Sequence, residues 1–394
     1  MKKKNFKLIT LIAVLVLIVS GWFSSSLVTE IDKAFSKFVD TPVVGLLIDD
    51  LEDAAQNISY KYTMIDIYSY LCRIANIKTV KKADATVVRM DNDYLAFDET
   101  KYSIEQCEDM ARQCSELSTV ANDLNIPLIY AMAPTKLYFD DEEDNHVGIA
   151  RQNYDNYLSA LRDRNINVLD LANAMNEQNL IMEDSYFITD HHWIPETGLW
   201  ASHKICEELA NKSDFSYDEQ IFDLNSYEVN VYEDWFLGSA GKKVGRFFSS
   251  HGVDDISIIT PKFDTELVIT DNRGTLTGDF ANTVMDMSHV NEKSLYTNNC
   301  YAAYSGGDFG LQIIENKLAN KDAKELVVIR DSFACVVTPF LSLSTSKIHI
   351  VDTRYWHGQT NAETVLDYIK AVQPDGIVVL YSIISPDLLE FGTH

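Results

Sequence analysis

Short apolar segments alternate with helical segments along most of this chain, and this alternation limits the folds that it can adopt. Apolar runs rich in β-branched side chains are typical of buried strands, and strands separated by helices pair in parallel. The sequence therefore predicts an α/β fold, a three-layer α/β/α domain around a mostly parallel sheet. Its predicted strands are Ile126–Ala133, Ile166–Leu171, Leu326–Ile329, Ile348–Val351 and Ile377–Leu380, and its predicted helices are 103–124, 154–162, 196–210 and 362–372.

The pattern changes between residues 213 and 300. Short alternating runs at 256–259 and 266–270 are broken there by Gly, Asn and Asp, as in strands that are joined by turns. We predict a β-rich insertion at 213–300 within a domain that spans 101–394. Residues 27–100 mix helical periodicity with polar breaks, and we predict that they form a stalk and lead-in helices.

The chain begins with a basic flank followed by an uncharged apolar run, Leu8–Phe23. This order marks an export or anchoring signal, and the positive charge holds the N-terminus on the cytoplasmic side. The run lies between a signal-peptide core and the ~20 residues of a full span, so cleavage near Ser24–Ser26 stays open. We predict that residues 1–26 form an uncleaved signal anchor, which would place the rest at the extracytoplasmic face of a membrane. Cleavage would make the protein secreted.

Composition excludes some functions. The formal net charge of −26 disfavours nucleic acid as a partner, because an acidic surface repels a polyanion. The six cysteines include no CxxC spacing and are too sparse for a disulfide scaffold. We expect neither a metal site nor a cofactor.

A serine follows the strand predicted at 326–329. The segment Arg330-Asp331-Ser332-Phe333 begins where the β-branched run ends, at the edge of a parallel sheet where sites form. A helix that begins there would direct its dipole, and the Phe333 amide, at an oxyanion formed on Ser332. The alternative is that Ser332 only caps the helix, a position that Ser and Asp favour.

The segment Asp190-His191-His192-Trp193 contains the base and the carboxylate that a nucleophilic serine needs. His192 is the candidate base because the i to i+2 spacing in an extended turn puts it on the same side as Asp190, with His191 facing away. The chain order is no obstacle, since a triad is defined by geometry. We therefore predict a catalytic triad of Ser332, His192 and Asp190.

Other interpretations of this segment stay open. Two imidazoles and a carboxylate can bind a metal, although adjacent side chains on an extended segment diverge and the sequence has no evident second cluster of ligands. The His pair can also be incidental to a surface loop. Trp193 can pack in the core or stack on a sugar.

At these residues the chain resembles the DHHW family, a branch of the SGNH hydrolase-like proteins that includes the AlgJ and AlgX type of alginate O-acetylation protein. Asp190, His192 and Trp193 match its Asp-x-His-Trp element, and Asp331-Ser332 matches the Asp-Ser of its serine segment. The similarity extends to residues 133–136, 237–239 and 352–355, and spans about 126–382.

The chain departs from ordinary SGNH hydrolases at the serine. It has Arg330-Asp331-Ser332 where they have Gly-Asp-Ser, and their separate Gly and Asn oxyanion donors are not evident in the sequence. Arg330, Arg354 and Lys136 are the candidates for donors or substrate contacts, and the alternative for each is an ordinary surface or salt-bridge residue.

The resemblance implies transfer of an acetyl group to a hydroxyl of a cell-surface polysaccharide, with a membrane O-acyltransferase as the partner that supplies it. In this hypothesis Ser332 carries the acetyl group, His192 acts as base and then as acid, and Asp190 orients His192. An esterase that removes acetyl groups from glycans would use the same triad with water as acceptor. A non-catalytic, membrane-anchored glycan-binding or scaffold protein is the third hypothesis, which the missing Gly-Asn pattern favours.

Overall fold

The computed structural model describes residues 61–140, 145–356, 360–383 and 391. The predicted signal anchor and residues 27–60 of the predicted stalk lie outside these ranges. The strands are β1 (Thr79–Lys81), β2 (Thr86–Arg89), β3 (Leu95–Phe97), β4 (Leu128–Ala133), β5 (Val168–Asp170), β6 (Tyr227–Phe236), β7 (Asp254–Pro261), β8 (Leu267–Asp271), β9 (Gly274–Gly278), β10 (Leu311–Asn316), β11 (Glu325–Arg330), β12 (Lys347–Val351) and β13 (Gly376–Ser382).

Helices connect most of these strands. The α-helices are α1 (Lys61–Ile74), α2 (Ile104–Asp123), α3 (Asn145–Asp163), α4 (Leu171–Glu177), α5 (Met182–Ser185), α6 (Pro195–Lys212), α7 (Ser239–Val244), α8 (Phe280–Thr283), α9 (Thr338–Leu343) and α10 (Val365–Val372). Short 3₁₀ helices lie at Lys136–Phe139, Glu219–Phe222, Leu224–Ser226, Met287–His289, Cys300–Ala303, Ser332–Val336 and Thr353–Tyr355.

An eight-stranded sheet forms the centre of the fold, in the order β5-β4-β13-β11-β12-β10-β8-β9. The first five strands pair in parallel, and the last three add antiparallel pairs at one edge. The predicted α/β fold with a large, mostly parallel sheet is confirmed. Strand β13, the last in sequence of the described strands, lies between β4 and β11.

Both faces of this sheet are covered. Alternate residues of a strand point to opposite faces, and in β11 Val327 and Ile329 join one apolar cluster while Leu326 and Val328 join another. Helices α2, α3 and α10 contribute to the first cluster, and α6 and α9 contribute to the second. Helices therefore form a layer on each side of the sheet.

The region predicted as a β-rich insertion, 213–300, is not a self-contained unit. Strands β6 and β7 pair with each other, but β8 pairs with β10 and so extends the main sheet, with β9 beyond it. Leu267 and Ile269 of β8 are buried in the same cluster as Val328 of β11, so detaching β8 would expose apolar surface.

Residues 61–100 differ from the predicted stalk and lead-in helices. They form one helix and a three-stranded antiparallel sheet, β1-β2-β3, which pack against α7 through a small core of Cys72, Val87, Leu95, Val244 and Phe248. This segment is therefore part of the folded body. Among the described residues, no helix is long and apolar enough to cross a membrane.

Candidate active site

A tight loop carries Asp190, His191 and His192. A β-bridge between Tyr186 and Trp193 closes this loop. Within it the Asp190 carboxylate accepts a hydrogen bond from the His192 amide at 3.1 Å, as in an Asx-turn. The segment is therefore bent rather than extended, and neighbouring side chains converge.

The structure brings the three residues of the predicted triad together. Ser332 lies just beyond the carboxyl end of β11 and is half-buried. Its Oγ lies 2.7 Å from His192 Nε2, and His192 Nδ1 lies 2.6 Å from Asp190 Oδ1. Because an ionised carboxylate only accepts hydrogen bonds, we assign the imidazole proton to Nδ1, which leaves Nε2 to accept from the serine hydroxyl.

Asp190 is held ionised in a buried position. It is 3% exposed, and its second oxygen accepts a 2.6 Å hydrogen bond from the Ser239 amide. Burial alone would raise its pKa, but electrostatic interactions with His192 and His191, with hydrogen bonds from His192 and Ser239, hold the pKa of Asp190 well below its usual range. The carboxylate is thus fixed as an acceptor for His192.

Gly238 lets α7 approach this carboxylate. A Cβ at position 238 would lie 2.3–2.4 Å from three atoms of Asp190. The Gly238 amide also donates to Thr189 Oγ1 at 2.8 Å. The segment 237–239, which is part of the similarity to the DHHW family, therefore supports the loop through its backbone.

Two buried ionisable residues hold the loop from behind. Lys136 Nζ donates to the carbonyls of Phe187 and Ile188 at 2.7 and 3.2 Å, and the Asp254 carboxylate accepts from the Ile188 and Thr189 amides and from the Thr189 hydroxyl. Burial lowers the pKa of Lys136 and raises that of Asp254. Lys136 therefore supports the loop and is not an oxyanion donor.

The serine turn is held by Asp331. This carboxylate accepts from the Phe333 amide at 2.9 Å and from the amide and hydroxyl of Ser382, at the end of β13, at 2.7 and 2.9 Å. The expectation that the Phe333 amide faces an oxyanion is therefore wrong, because that amide donates to Asp331. A short 3₁₀ helix, Ser332–Val336, rather than an α-helix begins at Ser332.

Trp193 packs in the core. Its side chain is fully buried, which excludes stacking on a sugar in this structure, and its Nε1 donates to the Phe333 carbonyl at 2.9 Å. It thereby ties the His192 loop to the serine turn.

Aromatic rings enclose the His192 imidazole. Tyr301 stacks on it with ring centroids 4.2 Å apart and planes inclined by 8°, and Phe333 meets it edge-on at 5.0 Å. The sequence analysis missed Tyr301, which lies 109 positions beyond His192 and has no motif around it. These contacts restrict the rotation of the imidazole.

His191 does not face away from the site, because the loop is bent. Its ring lies 3.7 Å from that of His192, and its Nδ1 lies 2.8 Å from Ser239 Oγ and 3.6 Å from Asp190 Oδ1. Burial is the main cause that lowers the pKa of His191, to about 3, and it keeps this imidazole neutral.

Asp190, His191 and His192 also satisfy a geometric requirement for a metal, since their ligand atoms lie within 4.8 Å of one another. Both nitrogens of His192 already have partners in Asp190 and Ser332, and His191 has one in Ser239. A metal would have to displace these hydrogen bonds.

Arg330 and Arg354 form an ion-pair network behind Ser332. The Arg330 guanidinium is 2% exposed and pairs with Asp308 and, at 3.7 Å, with Asp352. Arg354 forms a two-point contact with Asp352 at 2.6 and 2.9 Å. Both arginines are thus engaged by carboxylates, and Arg330 in particular has a structural position.

One family model matches part of this chain. The family model for the SGNH hydrolase-like domain of the acetyltransferase AlgX matches residues 94–233, a range that contains Asp190 and His192 and ends before Ser332. No curated protein matches the chain.

Two solved structures share the fold. A DHHW family protein from Eubacterium siraeum is 18% identical with a TM-score of 0.56, and the match covers 79% of this chain and 94% of that one. PatB1 from Bacillus cereus, in a structure with a sulfonyl adduct, is 20% identical with a TM-score of 0.63, and the match covers 79% of this chain and 100% of that one. The predicted resemblance is confirmed: residues 94–233 match the family model of the AlgX SGNH hydrolase-like domain, and the chain shares its fold with a DHHW family protein and with PatB1.

Proposed function

We propose that this protein is an acyl-transfer enzyme that O-acetylates a polysaccharide through Ser332, His192 and Asp190. The observation that carries the proposal is the continuous relay from Ser332 Oγ through both nitrogens of His192 to Asp190, with contacts of 2.7 and 2.6 Å. Nucleophile, base and orienting carboxylate within hydrogen-bond reach are what serine acyl transfer requires. The relationship to acetyltransferases supports the acetyl group as the group transferred.

In the first half-reaction Ser332 Oγ attacks the carbonyl carbon of an acetyl ester while its proton passes to His192 Nε2. Asp190 stabilises the imidazolium through Nδ1–H. The tetrahedral intermediate then collapses, the leaving oxygen takes the proton from Nε2, and acetyl-Ser332 remains. We assign the Ser332 amide as one oxyanion donor, since the Phe333 amide is engaged by Asp331.

In the second half-reaction a sugar hydroxyl gives its proton to His192 and its oxygen attacks the acetyl carbonyl. Ser332 leaves and recovers the proton. The proposal includes a membrane O-acyltransferase as acetyl donor and a location at the extracytoplasmic face, which rest on the family resemblance and on the basic, apolar start of the chain.

The test uses the full-length chain with p-nitrophenyl acetate beside Ser332→Ala and His192→Ala. We expect acetylation of the wild type by intact mass, and a loss of at least ~10²-fold in acetate release in both variants, the scale for a positioned acid-base group. His251→Ala, which removes an exposed imidazole, is the matched control and should keep wild-type rates. Inactivity of a folded wild type equal to that of the variants would favour the glycan-binding or scaffold hypothesis instead.

A further inference from the structure

A pocket of about 240 Å³ is lined in part by the sequence neighbours of His192 and Ser332. His191 and Phe333 line the pocket on the side of the candidate site. The ring of His191 lies against the ring of His192, and Phe333 directly follows Ser332 in the sequence. Ser382, which also lines the pocket, is hydrogen-bonded to Asp331. A molecule held here would lie on the side of the candidate site formed by His191 and Phe333.

The lining combines apolar surface with two carboxylates. Phe97, Leu137 and Phe333 contribute apolar surface, and Asp98 and Glu99 contribute carboxylates. A concave apolar surface with a few convergent polar groups is the usual form of a small-molecule site, and such sites measure ~300–1,000 Å³. At about 240 Å³ this pocket lies just below that range, with room for a single ring.

The carboxylates are fixed in place by their neighbours. Glu99 accepts from the Thr135 hydroxyl at 2.5 Å and from Asn153 Nδ2 at 3.2 Å, and Asp98 lies 2.6 Å from His146 Nδ1. Oxygens held in this way can accept hydrogen bonds from ligand hydroxyls without reorganisation.

Lys136 also lines the pocket, and its ammonium donates to the Phe187 and Ile188 carbonyls behind the loop. The carboxylates of Asp254 and Asp190 face this ammonium, so its charge is already engaged and does not offset Asp98 and Glu99. His191 is neutral for the reasons given above. An anionic ligand would therefore meet like charge in a partly dry site, which is strongly unfavourable.

We propose that this pocket binds the acceptor, an uncharged sugar residue, and excludes a uronate. This inference rests on the proposed function. The apolar wall would pack against a ring face, while Asp98 and Glu99 would accept from sugar hydroxyls. A fatty acyl chain is a poorer occupant, because it would remove two carboxylates from water and return no hydrogen bonds.

The test compares methyl glucoside with methyl glucuronate, which differ only in a hydroxymethyl group against a carboxylate. Full-length protein is acetylated with p-nitrophenyl acetate, and the loss of acetyl from Ser332 and the formation of acetyl-sugar are followed by mass. We expect the glucoside to accelerate deacetylation at least ~10-fold more than the glucuronate. Asp98→Asn and Glu99→Gln should each lower the ratio of the deacetylation rate with the glucoside to that with the glucuronate. Asp322 has 82% of its side chain exposed, so Asp322→Asn should leave this ratio unchanged.

The outcomes separate the two proposals. If no acetyl-Ser332 forms, the proposed function itself fails. If acetyl-Ser332 forms but reacts equally with both sugars, or with neither, the acceptor pocket is refuted while the proposed function stands. An unchanged ratio in both carboxylate variants would likewise refute the role given to Asp98 and Glu99.

Discussion

Trp193 Nε1 donates a 2.9 Å hydrogen bond to the carbonyl of Phe333, 140 positions later in the chain. Trp193 directly follows His192, and Phe333 directly follows Ser332. The bond therefore joins the two halves of the proposed relay one residue away from the Ser332–His192 contact. Since Trp193 is fully buried, the surrounding core fixes this distance.

Trp193→Phe should slow acetylation of Ser332 by roughly tenfold, because the loop and the serine turn lose their direct connection. The Phe333 carbonyl also accepts from the Tyr301 hydroxyl at 3.3 Å, so we expect a stability loss of only ~1–2 kcal/mol in urea unfolding. Trp200→Phe is the matched control, since Trp200 donates to Gln178 at the surface. A normal acetylation rate in Trp193→Phe would show that the bond only stabilises the fold.

Asp190→Asn should reduce acetylation by ~10²–10⁴-fold, because an amide does not hold the imidazole in the tautomer that accepts the serine proton. The rate of acetyl-Ser332 formation is the measurement. Asp184→Asn, which changes an exposed carboxylate in the preceding helix α5, should have no effect. A rate within about threefold of wild type would exclude Asp190 as the orienting group.

Lys136→Met should lower the acetylation rate at saturating ester with little change in KM, because Lys136 supports the loop and does not contact the relay. It should also change how stability depends on pH. Burial lowers the pKa of Lys136 from 10.5 to about 8, so between these values the unfolded chain binds more protons than the folded one. The contribution of Lys136 to the free energy of unfolding therefore rises with pH between about 8 and 10.5.

Urea unfolding between pH 7 and pH 10.5 measures this effect. The wild type should gain stability relative to Lys136→Met as the pH rises through the window given by the Lys136 pKa. Lys321 has 90% of its side chain exposed, so the unfolding free energy of Lys321→Met should change with pH in the same way as that of the wild type. If the difference in unfolding free energy between wild type and Lys136→Met did not change with pH, Lys136 would keep its ordinary pKa.

Gly238→Ala should destabilise the fold by about 3 kcal/mol and reduce acetylation at least tenfold, because its Cβ would overlap Asp190 and force the carboxylate to move. Gly148→Ala is the control: nothing lies within 4 Å of its added Cβ, and it lies inside helix α3. That change should be neutral or stabilising by ~0.5–1 kcal/mol. Equal stability of the two variants in urea would contradict the close approach of α7 to the loop.

The five central strands could be predicted because each is a short, continuous apolar run. Strands β1–β3 have three or four residues each, too few for a clear period, and the pairing of β8 with β10 depends on contacts distant in sequence. Predicting β structure at 256–270 therefore did not reveal which sheet each strand would join.

At the candidate site, Asp190, His192 and Ser332 could be selected from their chemistry, their spacing and the resemblance. The assumption of an extended loop gave the wrong orientation for His191. The loop is bent by the hydrogen bond from the His192 amide to the Asp190 carboxylate, and residue spacing does not reveal whether this bond forms. Tyr301 and the support given by Lys136 and Asp254 could not be predicted, since each depends on which buried surfaces meet after folding.

The position of β13 determines when the candidate site can exist. The loop with His192 packs beside β4 through Lys136, Ser332 follows β11, and β13 separates these two strands in the sheet while its Ser382 holds Asp331. Until Gly376–Ser382 is synthesised and pairs on both sides, the two halves have no common scaffold. The surroundings of Ser332 thus depend on a strand that lies late in the sequence, so they can form only after residue 382 has been added.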